Sequence, residues 1–395
     1  MSTLITDVGN ERNSTAECRE AALRLEMLPS SSRGAALDTW RKLEAELSNQ
    51  RLMCSSIWTE TWLEYFGSLI PHQFALGYRH DKPCGIALLT QGVEKHVGPF
   101  RLNTWHAGTA GEPEVDSVCV EYNTFLVRNR DRVEFGLALW DWAIRHSSCD
   151  EYRMDGFAAS RTAPLLSLHL DAIVVRKPSR YFDLDAVRTA GVEPVSRLGY
   201  NTRATLRRTL RNLGEVRDEW ADSPARAEEF LLELIQLHQA RWNALGKPGS
   251  YASPRFREFH LALLHRAVPC GMMGLYRVTD GTRTVGCTQI LQDNNRALVY
   301  QSGWNALGGA VSPGLATDYL CLCECLRRGY DAYDFLAGDG EHKRRLSTDA
   351  VDLDWVVWRR RNFKNAVIDV LRRVKLAALQ LAKAAPSTPT VMERS

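Results

Sequence analysis

The residues best suited to chemistry lie in the segment 296–345, where a glycine-bearing turn separates a predicted strand from a predicted helix. Residues 298–303 alternate as a strand does, and two adjacent glycines then break the pattern. Ser312 can cap a helix, and Pro313 suits its first position because an N–H is not needed there. Free N–H groups at the start of such a helix attract phosphate, so we expect an anion site at residues 308–314. A plain βαβ packing unit would show the same local pattern.

Side chains in and after the next predicted strand could move protons. That strand covers Tyr333–Leu336 and contains Asp334, while Asp339, His342 and Lys343 follow it. The two carboxylates and the imidazole are candidate catalytic groups, and the lysine could hold a phosphate or an acidic acceptor. Asp339 and Lys343 could equally form a turn cap and a salt bridge, and Asp334 could be a buried hydrogen-bonding acid.

The same segment resembles the second half of a CelD-like, FemAB-related acetyltransferase of the GNAT superfamily. The residues that carry the resemblance are Tyr-Gln-Ser-Gly at 300–303, Ser-Pro-Gly at 312–314, Asp-Phe-Leu at 334–336, Gly-Asp at 338–339, and Lys343. These motifs stand in the order and approximate spacing of the family. A tyrosine often precedes the lysine there, and His342 occupies that position in this sequence.

The resemblance implies an α/β (α+β) fold of two tandem GNAT-like halves, with mixed central sheets flanked by helices. It also implies acetyl-CoA or another acyl-CoA as the co-substrate, and no metal. The turn that ends at Gly314 would hold the pyrophosphate through N–H groups, and the strand edge would pair with the amide arm. The residues that we expect at the cofactor are Tyr300, Ser302, Gly303, Ser312, Pro313, Gly314 and Leu315.

The acceptor site of the resembling family is bordered by the end of one helix and the loop that follows it. The corresponding helix is predicted here at residues 224–242. Its end and the next loop supply Arg241, Trp242 and Tyr251, which we expect to bind the substrate together with Lys343. The alternative is that Trp242 fills the core and that Arg241 is solvated.

The function implied by the resemblance is transfer of an acyl group to an amine or hydroxyl of a small-molecule or saccharide acceptor, within envelope or exopolysaccharide biosynthesis. One alternative is a FemAB-type aminoacyltransferase that uses charged tRNA. Another is a non-catalytic scaffold in a polysaccharide-synthesis complex. An open groove at residues 312–314 would favour an enzyme, and a filled groove would favour the scaffold. A broad basic surface beside the groove would favour tRNA.

The composition is that of an ordinary globular protein. The 50 basic and 47 acidic residues leave a net charge of +3, which gives no overall drive toward nucleic acid. Ten scattered cysteines without a secretory signal fit a reduced, cytoplasmic protein. Cys321, Cys323 and Cys325 are two residues apart on a predicted helix, so they face different directions and do not converge on one metal.

Four segments are expected along the chain. Residues 1–34 are polar and predicted to be disordered, and residues 35–190 form a degenerate N-terminal GNAT-like half without the Ser-Pro-Gly motif. Residues 191–361 form the catalytic half, and residues 362–395 form a helix and a tail. The catalytic half starts with a connector helix at 201–213, whose basic face could grip phosphates or an acidic partner, or could simply be solvated. This face contains Arg203, Arg207, Arg208 and Arg211.

The last predicted helix is amphipathic and basic. Eight lysines or arginines and only one acid, Asp369, lie between Arg359 and Lys383. Such a helix can lie on an anionic membrane surface, here at the inner face of the membrane. It can equally dock on the domain as a closing helix.

Overall fold

The computed structural model describes residues 22–49, 51–93, 95–146, 148–169, 171–308 and 311–384. Its strands are β1 (Arg24–Pro29), β2 (His72–Arg79), β3 (Lys82–Gln91), β4 (Lys95–Val97), β5 (Phe100–Leu102), β6 (Thr104–Ala107), β7 (Leu126–Val127), β8 (Glu151–Ala158), β9 (Ile173–Asp183), β10 (Arg217–Trp220), β11 (Met273–Thr279), β12 (Thr284–Asp293), β13 (Arg296–Trp304), β14 (Ala332–Ala337) and β15 (Asp349–Arg359). Its helices are α1 (Arg33–Glu46), α2 (Ser56–Phe66), α3 (Arg132–Arg145), α4 (Ala159–Leu166), α5 (Leu184–Ala190), α6 (Tyr200–Leu213), α7 (Pro224–Ala244), α8 (Pro254–Ala267), α9 (Pro313–Arg327), α10 (Glu341–Leu346) and α11 (Phe363–Ala384).

One mixed sheet organises the described part of the chain. It has 13 strands, in the order β1–β2–β3–β6–β8–β15–β9–β14–β13–β12–β11–β10, with β7 paired to β3 beside this path. β4 and β5 form a separate hairpin. Most neighbours are antiparallel, whereas β6–β8 and β13–β14 are parallel. The predicted mixed α/β class, with helices flanking a mixed sheet, is therefore confirmed.

The two halves of the chain are joined by an exchange of strands. β9 lies between β15 and β14, and β15 in turn lies between β8 and β9. The β9–β15 ladder is antiparallel and runs from Asp349 opposite Tyr181 to Val357 opposite Ile173. The sequence resemblance predicts a central sheet in each half. Instead, one continuous sheet crosses the predicted boundary near residue 190, because each half supplies a strand that pairs inside the other half.

The start of the described chain is ordered rather than disordered. β1 pairs with β2 along its whole length, from Arg24 opposite Tyr78 to Pro29 opposite Gln73. Met27 packs against the hydrophobic core of the N-terminal half. The prediction of disorder is therefore wrong for residues 24–34, which form β1 and lead through a 3-10 turn into α1. Residues 1–21 of that prediction lie outside the described part of the chain.

Aromatic packing between α2 and α8 also connects the halves. Trp58, Trp62 and Phe66 recur four residues apart on α2, and all three are fully buried. Phe259 of α8 meets the ring of Trp58 edge-on, with 5.1 Å between ring centroids. Such a pair contributes beyond the area that it buries, so α2 and α8 form a rigid support behind the sheet. None of the helices in the described ranges is both long enough and apolar enough to cross a membrane.

A buried carboxylate on β14 connects three strands and a loop. Asp334 is fully buried and accepts hydrogen bonds from Tyr122 Oη at 2.5 Å, Ser179 Oγ at 2.7 Å and Arg296 Nη2 at 2.7 Å. Its Oδ1 also accepts from the backbone N–H of Leu336 at 2.8 Å. A buried charge is stable only when it is paired and hydrogen-bonded, and these four donors meet that requirement.

Replacing Asp334 should therefore destabilise the fold. In Asp334→Asn, the Arg296 guanidinium loses its buried counter-charge, so we expect the free energy of unfolding to fall by about 3 kcal/mol. Urea denaturation followed by circular dichroism measures this change. The matched control is Asp339→Asn, which removes a carboxylate from the surface and should change stability little. Equal stability of the two variants would show that the cluster does not hold the halves together.

Candidate active site

A cavity of about 670 Å³ opens where β13 and β14 separate. Residues 296–298 of β13 pair in parallel with residues 332–334 of β14. Beyond Asp334 the described ladder between the two strands ends. α9 begins beside the gap, and α7 and a loop from the N-terminal half form the other walls. Parallel strands that splay apart leave a wedge with unpaired backbone along its sides. Such a wedge can receive an extended ligand with amide groups.

The wall formed by β13 contains a β-bulge. The ladder with β12 passes from Gln289 opposite Gln301 to Ile290 opposite Val299, so Tyr300 is the extra residue. A bulge re-aims side chains and interrupts pairing, and Tyr300 and Ser302 both line the cavity. The Tyr300 hydroxyl donates to the backbone oxygen of Val118, so it braces the N-terminal half and is already occupied.

Gly303 was expected at the cofactor, but it has another role. It does not line the cavity and lies against α7 instead. A Cβ at this position would lie 2.7 Å from the backbone oxygen of Leu234 and 2.9 Å from the backbone nitrogen of His238. Glycine is therefore required so that α7 can pack against β13.

The later part of the predicted anion loop lies at the end of the cavity, whereas Gly309 and Ala310 lie outside the described part of the chain. Ser312, Pro313, Gly314 and Leu315 all line it. The Ser312 side chain makes no cap hydrogen bond, contrary to the expectation. The backbone N–H of Ser312 donates to Thr209 Oγ1 of α6 at 3.1 Å, which fixes the loop. Since α9 begins here, the backbone N–H groups of Gly314 and Leu315 have no acceptor among the described residues and can donate to a ligand.

Two of the three expected catalytic residues lie outside the cavity lining. Asp334 is fully buried in the cluster described above, so it cannot reach a substrate. Asp339 lies at the surface, where Arg180 and Arg344 donate to its carboxylate at 2.6 and 2.8 Å. These hydrogen bonds hold the pKa of Asp339 below its usual range, and the bond from Arg180 contributes most. The structure therefore contradicts a proton-transfer role for both, and supports the alternatives of a buried acid and a salt bridge.

His342 and Lys343 do line the cavity. Partial burial, followed by the charges of Lys343 and Arg241, lowers the pKa of His342, so its imidazole is neutral at neutral pH. Lys343 Nζ donates to the backbone oxygens of Leu336 at 3.0 Å and Ala337 at 2.7 Å. An ammonium has three N–H groups, so one remains for a ligand after these two bonds. The lysine both shapes the end of β14 and presents charge to the cavity.

The expected acceptor residues divide into two groups. Arg241 and Trp242 line the cavity, and the Arg241 guanidinium lies over the Trp304 ring at 4.1 Å from its centroid. Tyr251 is buried and does not line the cavity, so the structure does not bring it together with Arg241 and Trp242. Its hydroxyl donates to Gln289 Oε1 at 2.8 Å, and Gln289 Nε2 lies 3.3 Å from His260 Nδ1. This polar chain supports the cavity wall from behind.

Sequence reasoning missed His238, which also lines the cavity. Trp242 Nε1–H donates to His238 Nε2 at 2.9 Å, so the ring must carry its proton on Nδ1, where Gln239 Oε1 accepts at 3.1 Å. Burial lowers the pKa of His238, which keeps this neutral tautomer at neutral pH. The spacing of His238 and Trp242, one helical turn apart, is the signal that could have revealed the pair.

The N-terminal half contributes a wall that no local motif predicted. Ser117, Cys119 and Glu121 line the cavity from a loop after β6. Glu121 Oε2 accepts from the backbone N–H of Ala337 at 2.5 Å. Burial raises the pKa of Glu121, and the Ala337 hydrogen bond and Lys343 oppose that rise. A carboxylate with a raised pKa in a cavity is a candidate general base.

Comparison with known proteins identifies the C-terminal part. Residues 200–344 match the family model described as the acetyltransferase (GNAT) domain. This segment is therefore similar in sequence to a GNAT acetyltransferase domain, which supports acyl-transfer chemistry in this part of the chain. The match begins at α6 and ends within α10, so it includes β13, β14 and the start of α9, which form the splayed side of the cavity. The loop that bears Glu121 lies outside it.

Solved structures also resemble this chain over most of its length. The crystal structure of FemX has 12% sequence identity, covers 84% of this chain and 96% of its own, and gives a TM-score of 0.51. A tandem GNAT protein from the clavulanic acid biosynthesis pathway has 13% identity, with 84% and 98% coverage and a TM-score of 0.46. At this identity the FemX match shows a shared fold over both halves. A search of curated protein sequences found no match.

The buried His260 behind the cavity should make stability depend on pH. Burial lowers its pKa from 6.5 to about 3, so between these values the unfolded chain binds one proton more than the folded chain. Stability is then fully present above pH 6.5 and is lost on acidification, at about 1.4 kcal/mol per pH unit for this group. We expect His260→Leu to reduce the slope of unfolding free energy against pH by about this amount between pH 6 and 4. Parallel curves for the two proteins would contradict the assignment.

Proposed function

We propose that this protein transfers an acetyl or another acyl group from acyl-CoA to an amine or hydroxyl of a small saccharide-type precursor of the cell envelope or of an exopolysaccharide. The observation that carries the proposal is the cavity between the splayed β13 and β14, which is open at Ser312–Gly314 and ends at the free N-terminus of α9. An open groove at this place favours an enzyme over a scaffold. The saccharide class of the acceptor rests on the sequence resemblance.

The cavity has the features that a CoA thioester requires. The pyrophosphate would accept hydrogen bonds from the first N–H groups of α9, with Arg345 and Lys343 also lining the cavity. The pantetheine arm contains amides, which would pair with the edge of β13 that β14 leaves free. A volume of about 670 Å³ lies within the usual range for small-molecule sites, ~300–1,000 Å³.

Glu121 is the proposed general base. The acceptor amine or hydroxyl attacks the thioester carbonyl carbon, and Glu121 takes the proton that the nucleophile loses. The tetrahedral intermediate then breaks its carbon–sulfur bond, and the CoA thiolate leaves and takes up a proton. This proton is the one that Glu121 removed from the nucleophile, and the neutral His342 in the cavity lining can relay it, because an imidazole accepts a proton at one ring nitrogen and releases one from the other. A base whose pKa is raised toward neutrality is better matched to this task than an ordinary carboxylate.

A second candidate donor is an aminoacylated tRNA. The observation in its favour is on α6, where Arg207, Arg208 and Arg211 are exposed and have no acidic partner within the described ranges. α6 contacts the segment before α9 through the buried Thr209, and Arg207 and Arg211 lie on the opposite, exposed side of this helix. Arginines in such a row suit a nucleic acid backbone, although they would also suit the phosphates of CoA.

Donor binding at α9 predicts a charge-specific effect at Gly314. Gly314→Glu places a carboxylate beside the first N–H groups of α9, where it competes with the pyrophosphate, so CoA binding measured by calorimetry should be lost. Gly314→Ala is the matched control, because it adds the same Cβ without charge. That Cβ would lie 3.2 Å from the Trp304 ring, which must shift by a few tenths of an ångström. We expect Ala to weaken CoA binding far less than Glu.

The controls for this experiment separate the two donors. Unchanged CoA affinity in Gly314→Glu would overturn the donor site. The second candidate would be established instead by two results together. The wild type would bind aminoacylated tRNA but not CoA, and the triple variant Arg207→Glu, Arg208→Glu, Arg211→Glu would lose the tRNA binding.

The role of Glu121 is tested by turnover. Glu121→Gln keeps the acceptor for the Ala337 N–H but cannot take a proton. The acyl-transfer rate, measured as CoA release with a panel of amino sugars, should therefore fall by ~100- to 10,000-fold with little change in CoA affinity. Asp339→Asn serves as control, since its carboxylate lies outside the cavity lining and should leave turnover unchanged. A wild-type rate for Glu121→Gln would show that another group is the base.

A further inference from the structure

The final helix α11 is attached to the domain through its polar side. Glu151 Oε1 of β8 accepts from Arg359 Nε at 2.8 Å and from Arg372 Nη1 at 3.1 Å. Arg359 Nη1 also donates to Asp369 Oδ1 at 2.7 Å. Ile368, almost completely buried, lies on this side as well. Ionic and hydrogen-bonded contacts therefore hold the helix in place.

The apolar side of α11 faces solvent. Phe363 is 81% exposed, Val370 is 58% exposed and Val374 is 62% exposed, and Leu371 beside them is 40% exposed. Val370, Leu371 and Val374 follow Phe363 by 7, 8 and 11 residues. This spacing places all four side chains on one face of a helix. One alternative from the sequence was that this helix docks on the domain through its apolar stripe. The helix does dock, but through the opposite face, so the stripe has no cover within the described ranges.

The exposed stripe is surrounded by positive charge. Arg361 has 85% of its side chain accessible, although its Nε lies 3.6 Å from Asp171 Oδ2, and Arg373 is exposed without an acidic partner among the described residues. Asp369 is the single acid between Arg359 and Ala384, and it is already paired with Arg359. Lys364 Nζ donates to the backbone oxygen of Arg101, which sets the β4–β5 hairpin against the same helix.

We infer that the stripe of Phe363, Val370, Leu371 and Val374 lies in the surface of an anionic membrane, with Arg361 and Arg373 at the phosphate level. An amphipathic helix binds such a surface through its buried apolar area together with attraction to anionic headgroups. An aromatic side chain such as Phe363 adds apolar area at the boundary. The inference is independent of the acyl-transfer proposal, because it uses a different surface and different residues.

A second copy of the chain would fit this face less well. In a symmetric dimer the same patch meets itself, so Arg361 and Arg373 would face their own copies. Like charges placed opposite each other oppose association, and among the described residues only Asp171 beside Arg361 offsets them, while Arg373 has no acidic partner. An anionic lipid surface supplies the missing negative charge.

The test is co-sedimentation of the full chain with phosphatidylcholine vesicles that contain or lack phosphatidylglycerol. We expect binding only to the anionic vesicles, weakened by salt. The double variant Val370→Asp, Val374→Asp should bind at least about tenfold more weakly, since it removes apolar area and adds negative charge. Arg373→Glu should weaken binding by on the order of tenfold. All these side chains are exposed, so the variants should keep the wild-type circular dichroism spectrum.

The matched control is Val192→Asp with Leu232→Asp, at two apolar positions that are 40% and 43% exposed elsewhere on the surface. This variant carries the same added charge and should bind vesicles as the wild type does. Absence of wild-type binding to anionic vesicles would overturn the inference. So would a wild-type dimer in light scattering that Val370→Asp, Val374→Asp converts to a monomer, because the stripe would then be covered by a second copy.

Discussion

The arrangement of the site depends on the carboxylate of Asp334, because it lies at the point where β13 and β14 part. Leu298 opposite Asp334 is the last pair of their ladder. Beyond it, the backbone N–H of Leu336 would lose its partner in the sheet, and Asp334 Oδ1 accepts it instead. Leu336 adopts a left-handed conformation with a φ of 62°, which is unfavourable for a branched residue. The buried cluster thus satisfies and holds the backbone that forms the splayed wedge.

The N-terminal half lacks the anion loop, yet it completes the cavity. The Tyr300 hydroxyl reaches the backbone oxygen of Val118, and the backbone N–H of Ala337 reaches Glu121. These two bonds connect the bulged strand β13 and the end of β14 to one loop of the N-terminal half. Because β9 and β15 are exchanged between the halves, the halves cannot shift relative to each other without breaking sheet hydrogen bonds. A half that looks degenerate in sequence therefore forms a structural wall of the candidate site.

The local parts of this structure could be predicted from the sequence, and the long-range parts could not. The start of α9 follows from the preference of proline for the first helical position, and α6 follows from the helical period, both of which are set by adjacent residues. The role of Asp334 depends on Tyr122 and Ser179, which are 212 and 155 residues away in the chain. Nothing in the pattern around Asp334 shows that these donors surround it. The same is true of Glu121, whose loop has no period and no motif.

Burial shifts the ionisable groups of the cavity in one direction, toward their neutral forms. It raises the pKa of Glu121 and brings that of Asp318 to about 7, and it lowers the pKa values of His238 and Lys343. The low local polarity that causes these shifts also strengthens electrostatic interactions within the cavity. It also favours a neutral amine over an ammonium, and only the neutral amine can attack a thioester. Desolvation that would be a cost in a structural site thus favours both the base and the nucleophile that acyl transfer needs.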